Sequence, residues 1–231
     1  MNLADVTPLI ITHNEEANID RTLAALTWAS RIVVVDSGST DSTLSRLRRF
    51  ASVELFHRPF DSFAAQCNYG LSLITTPWCL SLDADHVLSE PFRAEMEALL
   101  ASVHGDVAAV LTPFRYLVHG RALRGSLLPP RFNLVRPSRG FYEDDGHAHR
   151  FVPLGPTAVL HQPILHDDRK PLSRWLHSQN RYLQQEASKL LHTPEASLSW
   201  ADRLRKRHVI APFAILVLCL IRHGGLLDGW R

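Results

Sequence analysis

Cysteine is scarce and scattered. Cys67, Cys79 and Cys219 form no CxxC pair and no even framework, so a disulfide scaffold is not expected at this size and a reducing compartment is. Excess charge is equally scarce: 25 Lys and Arg against 23 Asp and Glu leave a formal +2, too little to argue for nucleic acid as a partner. Internal repeats and low-complexity tracts are missing. The opening residues lack a basic segment followed by an apolar one and a cleavage site, so no signal peptide is expected and the catalytic part is placed in the cytoplasm. The longest apolar run, 209–221, would make a helix of roughly 20 Å against a hydrocarbon core of roughly 30 Å. What remains is ordinary for a globular chain: 231 residues, 45% hydrophobic and 21% charged, enough for one large domain or a domain with an appendage.

The first half alternates strand and helix patterns. Residues 9–11 read as a strand, with Asn14 placed to cap the helix marked by Ile19, Leu23 and Leu26. Residues 31–35 are a β-branched run suited to a strand buried on both faces. Leu44, Leu47 and Phe50 mark a second helix face, and 53–56 a third strand. Helices over 62–74 and 90–101 bracket a fourth strand at 78–82, and 108–111 make one more. This alternation predicts an α/β fold with a mostly parallel sheet flanked by helices, whose ligands bind outside the carboxyl ends of the strands. After Thr112, Pro, Gly, Arg and His become frequent and the pattern reads as an irregular acceptor region, followed by a helix over 172–191. Three segments are thus expected: 1–111, 112–191 and 192–231.

The last segment joins Arg203, Arg205, Lys206, Arg207 and His208 to the apolar run. A buried core helix is one reading. An interfacial or membrane-embedded helix suits the cationic cluster better, because such a cluster matches anionic lipid headgroups. The expected location is therefore the cytoplasmic face of the inner membrane, peripheral or monotopic.

Three polar clusters fall at the expected strand ends. Asp83-Ala84-Asp85 follows the fourth strand, and two such carboxylates suit Mg²⁺ or Mn²⁺ while leaving positions open for substrate phosphates. The bland alternative is that Asp85 or Ser89 only caps the next helix. Asp36-Ser37-Gly38-Ser39-Thr40-Asp41 follows the second strand; Asp36 can accept hydrogen bonds from a base or ribose, and Asp41 or Ser39 can cap a helix. Thr12 and Glu15 sit similarly after the first strand, although Glu15 could merely complement the helix dipole.

Taken in order, Thr12-His13-Asn14-Glu15-Glu16, Val35-Asp36-Ser37-Gly38-Ser39-Thr40-Asp41 and Leu82-Asp83-Ala84-Asp85 resemble the successive motifs of family 2 glycosyltransferases of the GT-A fold. Phe60-Asp61-Ser62-Phe63, Gln66, Asn68-Tyr69 and His166-Asp167-Asp168-Arg169-Lys170 resemble the bacterial branch containing lipopolysaccharide core glucosyltransferases. The resemblance implies an inverting, metal-dependent transfer from a nucleoside-diphosphate sugar, a UDP-hexose by default, to a glycan or lipid-linked acceptor. Under it, Asp36 holds the nucleoside, with Thr12, Asn14, Glu15 and Ser37 around the same pocket. Asp83 and Ala84 lie beside ribose and sugar, and Gln66 and Asn68 reach the nucleotide side. Asp85 ligates the metal bridging the phosphates, and His166 completes its site. Asp167, Asp168, Arg169 and Lys170 meet acceptor or diphosphate. The base that deprotonates the acceptor is sought near Glu143: Asp145 first, with Asp144 beside it. The branch commonly reads Gly-x-x-His-Glu here, so His149 matches and Arg150 stands where Glu is expected.

Three rivals are weighed. A phosphotransferase of the haloacid dehalogenase type needs its nucleophilic Asp on the opening strand, and Asp83 comes on the fourth. A zinc protein built on His147, His149, His161 and His166 fits none of the common ligand spacings. A membrane-tethered nucleotide-sugar-binding module without catalysis is the third, motivated by Arg150.

Overall fold

The structure is a computed structural model and describes residues 1–103, 105–118, 120–124, 128–145, 148–207 and 209–229. The expected alternation is present as β1 (Val6–Thr12), α1 (Ile19–Ala24), β2 (Ile32–Asp36), α2 (Thr43–Leu47), β3 (Val53–His57), α3 (Phe63–Ser72), β4 (Trp78–Asp83), the short β5 (His86–Val87), α4 (Glu90–Ser102) and β6 (Ala109–Thr112). All five residues of β2 are buried, and so are the first five of β1 and of β4. Strands covered on both faces read as unbroken apolar runs, which is why the sequence reveals them.

Beyond Thr112 the chain is more regular than its sequence suggests. It forms β7 (Phe114–Val118), β8 (Arg121–Ala122), β9 (Arg131–Val135), β10 (Gly140–Asp145), β11 (Ala148–Pro153), β12 (Thr157–Val159) and β13 (Ile164–His166), then α5 (Leu172–His192), α6 (Trp200–Arg205) and α7 (Ile210–Val217). The region expected to be irregular is thus largely built of strands. They are short and mostly half-exposed, β10 begins at Gly140 and β11 ends at Pro153, and none shows a clear two-residue alternation.

The main sheet has seven strands in the order β12-β6-β9-β4-β1-β2-β3. β1 pairs parallel with β2 and β4, β2 with β3, and β6 with β12. Only β9 runs the other way, wedged antiparallel between β4 and β6. The fold is therefore α/β with a mixed, mostly parallel sheet flanked by helices. Because β9 and β12 come from beyond residue 111, the first two segments share one sheet.

Two apolar layers cover the faces. One joins α1 and α4 to the sheet through Ile10, Leu23, Trp78, Phe92 and Met96; the other joins α3 and the β10–β11 hairpin through Leu9, Val35, Cys67, Tyr142 and Phe151. Each fully buried Leu, Val or Phe among these contributes about 1.5–3 kcal/mol. Packing under α3 is tight at Gly70, where a Cβ would stand 2.4 Å from Leu9 Cδ1. Asn68 fastens the hairpin to α3: its Nδ2 donates to Tyr142 O and its Oδ1 accepts from Tyr142 N, both at 2.8 Å.

Beyond β13 the packing thins. α5 has no buried residue, and Leu172, Trp175, Leu183 and Leu191 along it are exposed. The expected long apolar helix is instead α7 followed by a π-helical turn at Leu218–Arg222. Phe213, Val217 and Ile221 are exposed, so this segment is not a core helix. Among the described residues no helix is long and apolar enough to cross a membrane. His208 of the basic cluster lies outside the described residues.

Candidate functional site

Parallel register brings the polar strand ends to one edge. Thr12 stands opposite Asp36, Asp36 opposite His57, and Ile11 opposite Asp83. The chain leaves β1 outward and returns beyond it to lay down β4, so a crevice opens where the order reverses. Thr12 is buried, and its Oγ1 has no hydrogen-bond partner among the described residues. Asp36 is buried too and organises its own turn: Oδ2 accepts from Gly38 N at 2.8 Å and Ser39 N at 2.9 Å, and Oδ1 from Ser39 Oγ. Gly38 has φ +90°, a left-handed backbone that favours glycine. Ser37 N donates to Thr12 O at 3.0 Å, and its Oγ accepts from Gln66 Nε2 at 2.7 Å. Gln66 is buried and spends its remaining groups on Arg58.

Asn14 does not cap the first helix. α1 starts at Ile19 with Asn18 before it, while Asn14, in a left-handed conformation at φ 57°, turns its Oδ1 to Thr40 N at 2.7 Å. The side chain ties the β1 loop to the β2 loop, and Asn tolerates that backbone better than most residues. Asp41 sits at the start of α2, accepting from Thr43 N at 2.9 Å.

Asp83 closes β4. Its N–H donates to His86 Nδ1 at 3.0 Å, which leaves Nε2 as the protonated nitrogen of a neutral His86, 3.4 Å from Asp83 Oδ2. Burial pushes the His86 pKa down and favours that neutral form. Ala84 buries its methyl in the core, and its carbonyl accepts from Thr22 Oγ1 at 2.7 Å. Asp85 is buried and is not the cap of α4; Ser89 fills that role, accepting from Phe92 N. Asp85 Oδ1 has no hydrogen-bond partner among the described residues, while Oδ2 lies 3.3 Å from His166 Nε2. Burial opposes the Asp85 charge, but His166 outweighs it and holds the carboxyl below its ordinary range; the same pair raises His166.

Asp85, His86 and His166 are close enough to enclose a cation. Asp85 and His166 fit one: Asp85 Oδ1 is buried with no hydrogen-bond partner among the described residues, and His166 Nε2 lies 3.3 Å from Oδ2 of the same carboxylate. His86 does not, because its free nitrogen carries the proton. The histidines of the zinc reading do not converge. His161 pairs with Glu95 at 3.0 Å, His149 stacks on Phe63 at 5.5 Å, and His147 lies outside the described residues.

On the other side of β4 a cavity of about 390 Å³ is lined by Asp83, His86, Arg131, Asn133, Asp145 and His149, among others. It brings two of the three base candidates to the wall that carries Asp83. Asp145 is ion-paired with Lys189 of α5 at 2.7 Å. His149 packs between Phe63 and Tyr142, and burial lowers its pKa. Asp144 instead accepts from Ala64 N, at the start of α3, at 3.0 Å. Arg150 pairs across the hairpin with Glu143.

The sequence reading missed Asn18. This buried amide donates to Glu15 Oε2 at 2.8 Å and Asp168 Oδ1 at 2.9 Å, and accepts from Arg21 Nη2 at 2.8 Å and Arg169 N at 2.9 Å. Its four bonds hold the 167–170 loop on the β1 loop. Around it Lys170 Nζ meets Glu15 Oε1 at 2.7 Å, and buried Asp167 meets Arg21 and Arg169. Burial raises the Glu15 pKa against the pull of Lys170. Burial also opposes the Lys170 charge, but Glu15 and Asp85 overcome it and raise that pKa. Asn18→Ala is expected to cost about 1–3 kcal/mol in urea unfolding, since buried partners are left unmatched. Asn18→Asp should cost at least as much by setting a third carboxylate beside Glu15 and Asp168; a neutral result for both would refute the hub.

The profile of the family described as glycosyl transferase family 2 matches residues 8–153. Among curated relatives, the lipopolysaccharide core biosynthesis glycosyltransferase LpsC of Rhizobium meliloti is 28% identical over 173 residues, covering 69% of this chain and 64% of that protein. An uncharacterized glycosyltransferase of Rickettsia typhi is 30% identical over 102 residues, 44% of this chain and 35% of its own. The chain thus spans less than two thirds of the length of these relatives. Solved structures with a similar fold include S. aureus TarS in complex with UDP-GlcNAc, at TM-score 0.55 and 16% identity over 98% of this chain and 76% of that one. The mannosyltransferase PcManGT of Pyrobaculum calidifontis, in complex with GDP-Man and Mn²⁺, superposes at TM-score 0.56 and 18% identity over 97% and 78%. Glucosyl-3-phosphoglycerate synthase of Mycobacterium tuberculosis, with Mn²⁺, UDP and glucosyl-3-phosphoglycerate, does so at 0.53 and 15% over 82% and 81%. The fold is GT-A-like, and with the family profile spanning most of the chain, the protein belongs to glycosyltransferase family 2.

Proposed function

We propose that this chain is an inverting glycosyltransferase that moves a sugar, by default from a UDP-hexose, to a glycan or lipid-linked acceptor in cell-envelope polysaccharide synthesis. The observation that carries this reading is the buried, partnerless oxygen of Asp85 beside His166, at the strand edge that also holds Thr12 and Asp36. Asp85 and His166 would hold Mg²⁺ or Mn²⁺, whose chemistry is Lewis-acid stabilisation of the departing diphosphate. Thr12, Asn14, Glu15, Asp36, Ser37 and Asp83 would frame the donor, with Lys170 adding positive charge where the diphosphate departs. Gln66 and Asn68 support that frame from behind, since their amides are engaged with Ser37 and Arg58 and with Tyr142. In this reading residues 1–111 serve chiefly the donor and 112–191 the acceptor.

For the base, we favour His149 over Asp145 and Asp144. A carboxylate paired with Lys189 or spent on a helix N–H is a weaker acceptor for a proton. A cavity-lining imidazole kept neutral by burial is ready for one.

With UDP-glucose and Mn²⁺ the melting temperature should rise, and Asp85→Asn should remove that rise; no stabilisation by any nucleotide-sugar with metal would sink the donor assignment. The His149 pKa is lowered from 6.5, so the basic form prevails at neutral pH. The rate should hold through pH 7 and fall only below the ordinary histidine range. His149→Asn should abolish that acid limb and lower kcat by roughly 10²–10⁴-fold, whereas an unchanged limb would move the role to a carboxylate.

Exposed apolar residues of α7 adjoin the basic residues of α6 and Lys206 and Arg207, an arrangement suited to the surface of anionic lipid on the cytoplasmic face of the inner membrane. The full chain should co-sediment with phosphatidylglycerol vesicles and not with phosphatidylcholine ones. Lys206→Gln and Arg207→Gln should each weaken binding roughly fivefold. Equal recovery in the supernatant with both vesicle types would count against the anchor.

A further inference from the structure

Among the described residues, the cavity beyond β4 contains one charge that no ion pair matches. Four formally charged side chains among the described residues line it: Asp83, Arg131, Asp145 and Arg150. Arg150 is matched by Glu143, Asp145 by Lys189, and Asp83 faces the Nε2–H of His86. Among the described residues no carboxylate comes within the 4.0 Å ion-pair distance of the Arg131 guanidinium, and none of its nitrogens donates a hydrogen bond. Yet Arg131 is half-buried and fixed at its root. It opens β9, opposite Thr112 in the central sheet, and its carbonyl accepts from Thr112 Oγ1 at 3.2 Å. Two residues on, Asn133 is buried and bonds Ser81 O and Thr112 Oγ1, both at 2.7 Å. Among the described residues the arginine is therefore held where it is with no ion pair or side-chain hydrogen bond to match its charge.

Its surroundings favour an anion. Pro129, Pro130, Leu111, Phe151, Val152 and Pro153 supply apolar walls, which exclude water and strengthen a charge-assisted bond. The planar guanidinium offers five donors in a fork that fits two oxygens of a carboxylate or phosphate. Asp83 shares the space, and the positive charge of Arg131 acts on it across the cavity; the remaining donors point to a second anionic group.

That group belongs on the acceptor side. Thr12, Asn14, Glu15, Asp36 and Ser37 do not line this cavity. In the strand order β6-β9-β4-β1-β2 they stand at β1 and β2, while Arg131 stands on β9, with β4 between. Among the described residues, Asp83 and His86 at the end of β4 border both.

We propose that Arg131 is a specificity-determining residue for a saccharide acceptor that carries an anionic group, a carboxylate or a phosphate. The proposal rests on the glycosyltransferase reading for the word acceptor, but the binding it predicts is measurable without turnover. Saturation-transfer NMR on the full chain with Mn²⁺ and UDP compares glucuronic acid, glucose 6-phosphate and glucose. At least one anionic sugar should bind ten or more times more tightly than glucose, and which one does so identifies the group. Arg131→Gln should erase the preference and Arg131→Lys retain part of it, while the thermal shift given by Mn²⁺–UDP stays as in the unaltered chain. Neither variant strands a buried partner, so both should fold, and melting curves check that they do. Equal binding of all three sugars overturns the proposal, as does a preference that survives Arg131→Gln. If Arg131→Gln also removes the Mn²⁺–UDP shift, the residue serves the donor phosphates and the proposal is again overturned. If the unaltered chain shows no Mn²⁺–UDP shift but still prefers an anionic sugar through Arg131, the site stands and the donor reading falls.

Discussion

The parallel seating of β1 between β2 and β4 is the constraint on which the site depends. Side chains along a strand alternate with period two, so a slip of one residue would turn Asp83 or Asp36 to the wrong face. Here the slip is resisted from both sides. Leu9 and Ile10 are fully buried on opposite faces of β1, and Val33 and Val34 beside them do the same on β2. Apolar burial over two strands thus sets the position of polar groups that contribute nothing to the core themselves.

Once the edge is set, its charges are managed by pairing and burial together. Asp36 satisfies itself against its own turn, Glu15 is matched by Lys170, and Asp167 by two arginines. Asp85 has His166 at 3.3 Å and the neutral His86 at 4.0 Å, and one of its oxygens is buried with no hydrogen-bond partner among the described residues. In a low-dielectric site an unmatched carboxylate oxygen is costly unless something external meets it. The same logic separates Arg131 from the paired Arg150 across the cavity. The proposed sites lie where the internal pairing stops.

The late loop shows how distant parts of the chain are joined. His166 stands opposite His86 on the neighbouring strand, and Asp167 N donates to Asp85 O at 3.0 Å, so the end of β13 is stitched directly to the motif after β4. Asn18 completes the stitch from the β1 side. This strand edge is therefore closed by a segment some 80 residues later than Asp85 along the chain, held by hydrogen bonds and ion pairs as well as by the buried Ile164 of β13.

Much of this was legible in the residues alone. Buried parallel strands write themselves as apolar runs, and the polar clusters that follow them are local in sequence, so the α/β alternation, the strand-end sites and the family resemblance could all be read without coordinates. The antiparallel β9, the hairpin that carries Asp144, Asp145 and His149, and the Asn18 hub could not. Short half-exposed strands leave no periodic trace, and Asn18 bonds a residue 150 positions away, for which the chain carries no local mark. Which carboxylates are free was likewise a tertiary decision. Asp144 and Asp145 look alike in sequence, but one faces a helix N–H and the other an ammonium, because strand alternation sends neighbouring side chains to opposite faces. The sequence by itself determined the alternation of strands and helices and which polar groups stand at the strand ends. Only the folded structure decided which of those groups are already satisfied, since that depends on partners brought together across the whole length of the chain.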